Sequence, residues 1–142
     1  SMAFGAALTA GGMTDGITRL FTKIARGRIS TVASTVLSGV TLNVTTSDQY
    51  ISILLTGSVF CGIYSKNKLE HRLLSRATED SATVTSVLIP WNSCGMVQST
   101  VLGVATLTYL PFCFFNILSP LMSIIIAITG YKIKIKNAPE RV

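Results

Sequence analysis

Charge is scarce in this sequence. Asp, Glu, Lys and Arg make up 13% of its 142 residues, about half the usual soluble share of roughly 25%. From Ser81 to Tyr131 there is no Asp, Glu, Lys, Arg or His at all. As helix, that run would be about 75 Å long, roughly two bilayer crossings. A soluble domain of this size has few polar groups with which to hide it. Mean hydropathy is +0.55. The chain therefore reads as an integral membrane protein, expected in the plasma membrane.

Reactive side chains are also few. The single histidine, His71, stands in a polar loop and reads as solvated. Cys61, Cys94 and Cys113 lie in apolar segments without CxxC or Cys/His spacing, so they read as small buried hydrophobes. No GxSxG, HExxH or P-loop pattern occurs. An enzyme is not expected, nor is a cofactor. The start lacks a basic leader. Ser1-Met2 reads as an added or internal start, and Ala3–Met13 as the tail of a longer helix. The chain is thus expected to be a piece of something larger.

The charge that is present has a pattern. Net charge is +6, and the bases gather at segment ends: Arg19, Lys23, Arg26, Arg28; then Lys66, Lys68, Arg72, Arg76; then Lys132, Lys134, Lys136, Arg141. Aromatic and basic residues do not interleave as a nucleic-acid surface requires. The clusters are juxtamembrane, and all three should prefer the cytoplasm.

Five stretches follow. Residues 1–28 read as the end of a preceding helix and a basic amphipathic connector. Thr14 or Asp15 is its expected cap, and Ile17, Leu20, Phe21 and Ile24 its apolar face. Residues 29–64 would be about 54 Å long as one helix, too much for one crossing. Split at 43–49, they give two arms of roughly 14 residues, about 21 Å each. Such arms pass the midplane without spanning the core. This predicts a re-entrant hairpin; two full spans joined by a polar outer loop is the competing arrangement. Residues 65–80 form a polar basic loop. Residues 81–131 are expected to hold two transmembrane helices: 81–104, broken at "PWNSCG", and 106–131, kinked at Pro111 and Pro120. Residues 132–142 are a basic tail. The fold class is an all-α integral membrane protein.

Asp48 sits alone between two uncharged stretches, 29–42 and 50–65. An ionisable residue inside a membrane costs at least ~2.5–3.5 kcal/mol. Asn43, Thr45, Thr46, Ser47 and Gln49 surround it with neutral oxygens, and a helix ending there leaves its last carbonyls without partners. Such oxygens make a hard-cation site, of the kind found where transporter helices break. "TVTSVLIPWNSCG" offers a second break, with Thr85, Asn92 and Ser93 near Pro90. Glu79 and Asp80 precede this segment, where they would cap its helix or line an ion access path.

In this order, "TTSDQY", "LSRATEDSATVTS", "LIPWNSCG" and "YLPFCFFNILSPLMSII" resemble the C-terminal part of the NhaC family of sodium/proton antiporters. The resemblance runs from about Ser30 to Tyr131 and implies secondary transport, with inverted repeats and broken helices around a midplane site. It makes Asp48 the leading cation and proton carboxylate. Thr45 and Thr46 are its neighbours, and Thr85, Asn92 and Ser93 lie on the second break. The chain departs from the family pattern in several places. Thr56 and Ser58 stand where Pro and Arg are usual, Ser47 and Ala82 where Gly is usual, Val87 where Pro is usual, and Ser93 where Thr is common.

The expected mechanism is competition. A buried carboxylate holds a proton, and sodium favours the ionised form and displaces it. The implied alternative is a sodium- and proton-coupled organic-acid antiporter acting on malate and lactate. Another is a fragment inactive on its own. Expected partners are the lipid bilayer and the missing N-terminal part of the transporter, with a homodimer left open and nucleic acid excluded.

Overall fold

The computed structural model describes residues 7, 10–25 and 27–129. The basic tail and, in the first stretch, residues 1–6, 8, 9 and 26 lie outside them. The described residues are helical, with no β-strand among them.

Helix α1, Met13–Ile24, begins after Gly12, whose φ of 69° is left-handed. The helix therefore starts one residue before the expected caps Thr14 and Asp15. Of the predicted apolar face, Phe21 packs on the core, whereas Leu20 and Ile24 stay exposed.

Helices α2, Arg28–Thr46, and α3, Gln49–Lys66, form an antiparallel hairpin. They have 19 and 18 residues, about 28 and 27 Å, so the arms are longer than the sequence suggests. Asn43, Thr45 and Thr46 do not interrupt α2. Thr45 bonds back to the Thr41 carbonyl at 3.0 Å and Thr46 to that of Leu42 at 2.8 Å, so the polar run is absorbed by the helix. The break is confined to Ser47 and Asp48. Ser47 adopts φ 58°, a left-handed conformation that costs a non-glycine residue roughly 1–2 kcal/mol. Asp48 then caps α3, its Oδ1 accepting from the Tyr50 and Ile51 amides at 2.8 and 3.3 Å.

The register is pinned by polar rungs. Thr46 Oγ1 lies 2.9 Å from Ser52 Oγ near the tip. Thr35 donates to Tyr64 at 3.2 Å, and Asn67 donates to Thr31 at 2.8 Å at the far end. The apolar core joins Val32 and Val36 of α2, Phe60 and Tyr64 of α3, then Leu69, Leu74, Ala77 and Ala127.

Helix α4, His71–Thr78, runs on into a π-helical turn, Glu79–Thr83, and ends in a 3-10 turn at Ser86–Leu88. The π-turn presses on α2. A Cβ at Gly39 would collide with the Ser81 hydroxyl and stand 3.2 Å from the Ala82 amide nitrogen. Ile89 is extended (φ −99°, ψ 116°), as the ring of the following Pro90 requires. Helix α5, Ser93–Leu102, is only 10 residues long and stops at left-handed Gly103. The stretch 81–104 is interrupted at Ile89–Asn92, near its middle, and its first half is not regular α-helix but carries the π-turn and the 3-10 turn.

Helix α6, Thr106–Tyr109, leads through a 3-10 turn at Leu110–Phe112 to α7, Phe114–Thr129. No single helix among the described residues is long and apolar enough to cross a membrane. Thr106–Phe112 and Phe114–Thr129 pass together, by length and composition, with a 60° bend between them. Pro111 lies in the 3-10 turn just before the bend, whereas Pro120 sits inside α7.

Candidate functional site

The site forms where the tip of the hairpin meets the second break. The last carbonyls of a helix lack intrahelical partners, and in α2 the segment Trp91–Ser93 supplies them. Trp91 Nε1 donates to the Val44 carbonyl at 2.8 Å, Asn92 Nδ2 to that of Asn43 at 3.4 Å, and the Ser93 amide to that of Ser47 at 3.1 Å. The carbonyls expected to stay open for a cation therefore have protein partners.

Asn92 also caps α5, its Oδ1 accepting from the Cys94 amide at 3.1 Å. Both helix N-termini, of α3 and of α5, thus open at the same point, each headed by an acceptor side chain.

Asn43 is fully buried. Its Nδ2 donates to the Ala82 carbonyl and, at 3.0 Å, to Thr85 Oγ1. These bonds fix the amide orientation and leave Oδ1 buried without a partner. An unpaired buried acceptor costs roughly 1–3 kcal/mol, so Oδ1 is set to receive a donor or a cation. Asp48 is also buried, and both hydrogen bonds to its side chain fall on Oδ1.

Of the residues named from sequence, Asn43, Thr85 and Asn92 meet directly, and Ser93 joins through its backbone. Thr46 is bound to the Asp48 main chain, its hydroxyl 3.1 Å from the Asp48 carbonyl. Thr45 is half-buried and bonds only within α2. Glu79 and Asp80 do not cap a helix, since the chain is already helical from His71. Glu79 is exposed. Asp80 turns to α7, accepting from Ser119 Oγ at 3.2 Å and from Ser123 Oγ, with Arg76 Nε 3.6 Å away.

Sequence reasoning placed Gln49 beside Asp48 but missed three participants, Cys94, Ser52 and Trp91. Gln49 Oε1 receives Ser86 Oγ at 3.2 Å and Cys94 Sγ, so Cys94 is a partner rather than core filler. Ser52 donates to the Asp48 carbonyl at 2.8 Å, and its place four residues after Asp48 was the available signal. Trp91 holds Val44 through its indole, which an apolar reading of Trp overlooks. Cys61, expected to be buried, is exposed beside His71.

Residues 1–131 match the Na+/H+ antiporter family. The chain is 40% identical over 106 residues to the arginine/ornithine antiporter ArcD of Halobacterium salinarum, covering 75% of this chain and 22% of that protein. It is 39% identical over 119 residues to the Na+/H+ antiporter NhaC of Alkalihalophilus pseudofirmus, covering 84% and 26%. It is 30% identical over 129 residues to the malate-2H+/Na+-lactate antiporter of Bacillus subtilis, covering 91% and 28%. The chain thus spans about a quarter of the length of these relatives. No solved structure gives a significant match. The chain, with the motifs and the crossing of two breaks described above, belongs to the Na+/H+ antiporter family.

Proposed function

We propose that this chain is the C-terminal part of a secondary active transporter that exchanges sodium for protons, with Asp48 as the carboxylate for which the two compete. The observation that carries this reading is the meeting of two interrupted segments around one buried carboxylate, with Asn43 Oδ1 left bare beside them. Sodium favours the ionised Asp48, and a proton replaces it on the other side of the membrane. Neutral oxygens of Asn43, Thr46 and Thr85 complete the surroundings, while Asn92 and Ser93 hold the tip. Thr45 and Glu79 are the outermost of the proposed residues, and Asp80 serves at the π-turn.

In this reading α2–α3 is a re-entrant hairpin with its tip near the midplane, and α6–α7 is a bent span. The basic clusters face the cytoplasm, and the whole is one half of an inverted repeat in the plasma membrane. No cofactor takes part. Transport requires the rest of the transporter, and a homodimer is compatible with it. Relatives named for amino-acid and carboxylic-acid exchange favour a second reading, in which an organic acid moves with the ions.

Asp48→Asn in a complete antiporter carrying this segment should abolish sodium-driven proton movement in proteoliposomes. Normal exchange in that variant removes Asp48 from the mechanism. Sodium/proton exchange by the purified 142-residue chain would overturn its dependence on the rest.

A further inference from the structure

Helices α5 and α7 both leave most of their side chains outside the fold, but in different ways. In α7 one stripe is covered. Asn116, Ser119, Ser123 and Ile124 are half-buried and Ala127 is buried, a recurrence every three or four residues that marks one helix face. Its exposed residues from Phe114 to Ile128 are all apolar. Such a helix suits a lipid solvent. No covered stripe exists on α5. After Gly95, which is wedged against Ile89, none of its residues is buried, and Met96, Val97, Gln98, Thr100, Val101 and Leu102 are exposed. At about 100° per residue these exposed positions sweep roughly 240° of the circumference.

The polar side chains of this exposed part differ in how they are satisfied. Ser99 donates to the Val104 carbonyl and Thr100 to that of Met96, both at 2.8 Å. Gln98 is exposed, and its amide has no hydrogen-bond partner among the described residues. It lies about 8 Å along α5 from Ser93, whose amide is bound to the hairpin tip. Half of the hydrocarbon core is about 15 Å thick. With the tip near the midplane, Gln98 therefore stays within hydrocarbon whichever way α5 points. Acyl chains offer nothing to the donors and acceptor of a primary amide. The apolar outer face of α7 makes no such demand.

We infer that α5 beyond Gly95 is the surface on which the missing N-terminal part of the transporter docks, with a polar group of that part facing Gln98, while the outer face of α7 keeps the lipid. Length points to the same occupant as polarity does. The chain spans about a quarter of its relatives, so most of a complete polypeptide remains to be placed, and it is tethered to this segment. The surface also leads back to the site. Asn92 and Ser93 at the head of α5 hold the Asn43 and Ser47 carbonyls of the hairpin tip, so whatever grips α5 bears on the tip through them. This inference rests on the reading of the chain as part of a membrane transporter.

The test asks what each helix touches in a complete antiporter carrying this segment, held in its membrane. Gln98, and separately Ile125, is replaced by the photoreactive residue benzoylphenylalanine, and the products of irradiation are mapped by mass spectrometry. The probe at 98 should crosslink to an upstream segment of the same polypeptide, and the probe at 125 should give lipid adducts. Lipid adducts at 98 overturn the docking surface, as does a crosslink between two copies. Gln98→Leu avoids the bulky probe. It should lower the unfolding temperature in detergent by a few degrees, because the group facing Gln98 is left buried without its partner. An unchanged or raised temperature overturns the polar contact. A complete antiporter that alkaline carbonate strips from the membrane would instead overturn the membrane reading on which the inference rests.

Discussion

Helix α2 buries Thr31, Ser34, Thr35, Ser38, Asn43 and Thr46 together with a few apolar residues, whereas α7 buries only Ala127 and turns Phe114, Phe115, Leu118, Ile125 and Ile128 outward. In water this arrangement would be inverted, because the hydrophobic effect drives apolar side chains inward. In a bilayer the outside is apolar, and polar groups are satisfied within the protein. The contrast separates what holds the molecule together from what it shows its solvent. The hairpin is joined by directional hydroxyl and amide bonds and by the core of Val32, Val36, Phe60 and Tyr64. The outer face of α7 contributes little to the fold and much to the surroundings.

The sharpest way to break this contrast is at a close approach. Gly95 in α5 sits so near the second break that a Cβ there would collide with the main-chain oxygen of Ile89 and lie 3.5 Å from that of Val87. Backbone cannot swing aside as a side chain can. Tyr109 fixes the same turn from α6, its hydroxyl donating to the Val87 carbonyl at 2.7 Å. Gly95→Ala should therefore destabilise the complete antiporter by about 2–3 kcal/mol, lowering its unfolding temperature in detergent by roughly 3–5 °C, since the shift per kcal/mol shrinks with chain length. A shift within a degree or two would mean that the break at Ile89–Asn92 yields easily and does not position Asn92.

A smaller effect is expected where the two regions touch. Asp80 is the polar link between the π-turn and α7, through Ser119 and Ser123. Asp80→Ala should cost about 1–2 kcal/mol, in the lower part of the range for bonds to a charged group. The side chain is 20% exposed, and Arg76 beside it is exposed, so screening weakens that pair. Glu79→Ala is the internal control. It removes an adjacent, exposed carboxylate, and thermal unfolding should be unchanged within the error of the measurement. Equal losses in the two variants would mean that the acidic pair acts through overall charge rather than through contact with α7.

The outward face was legible in the sequence and the inward one only in part. Fifty-one uncharged residues in a row need no geometry to announce an apolar exterior. The turn at Asp48 was also legible, because a lone carboxylate between two uncharged stretches is costly to bury without a purpose. Its extent was not. Asn43, Thr45 and Thr46 looked like part of a loop, but hydroxyls that bond back to the preceding turn let a helix run through a polar stretch. Glu79 and Asp80 looked like caps for the same reason that most acids before an apolar run do, and the π-turn that carries them has no sequence signature. The pairing of Trp91, Asn92 and Ser93 with the carbonyls of α2 spans more than forty residues, so no local pattern could reveal it.

The smallest effect is the one that tests the solvent. Ile125 is half exposed on α7, two residues from buried Ala127. Ile125→Ala removes apolar surface that the described residues do not cover and replaces a β-branched residue by a better helix former. Unfolding in detergent should change by less than ~0.5 kcal/mol. Ile125→Asp should behave differently. On a face bathed by lipid it adds roughly 2.5–3.5 kcal/mol to the cost of insertion, and membrane-integrated protein should fall while Ile125→Ala stays at the parent level. If Ile125→Ala alone cost more than about 1 kcal/mol, within the range for truncating a packed core residue, then another part of the transporter would cover this face. The apolar exterior of α7 would then be an interface between parts of the protein, and the bent span would have to be placed inside the assembly and not at its rim.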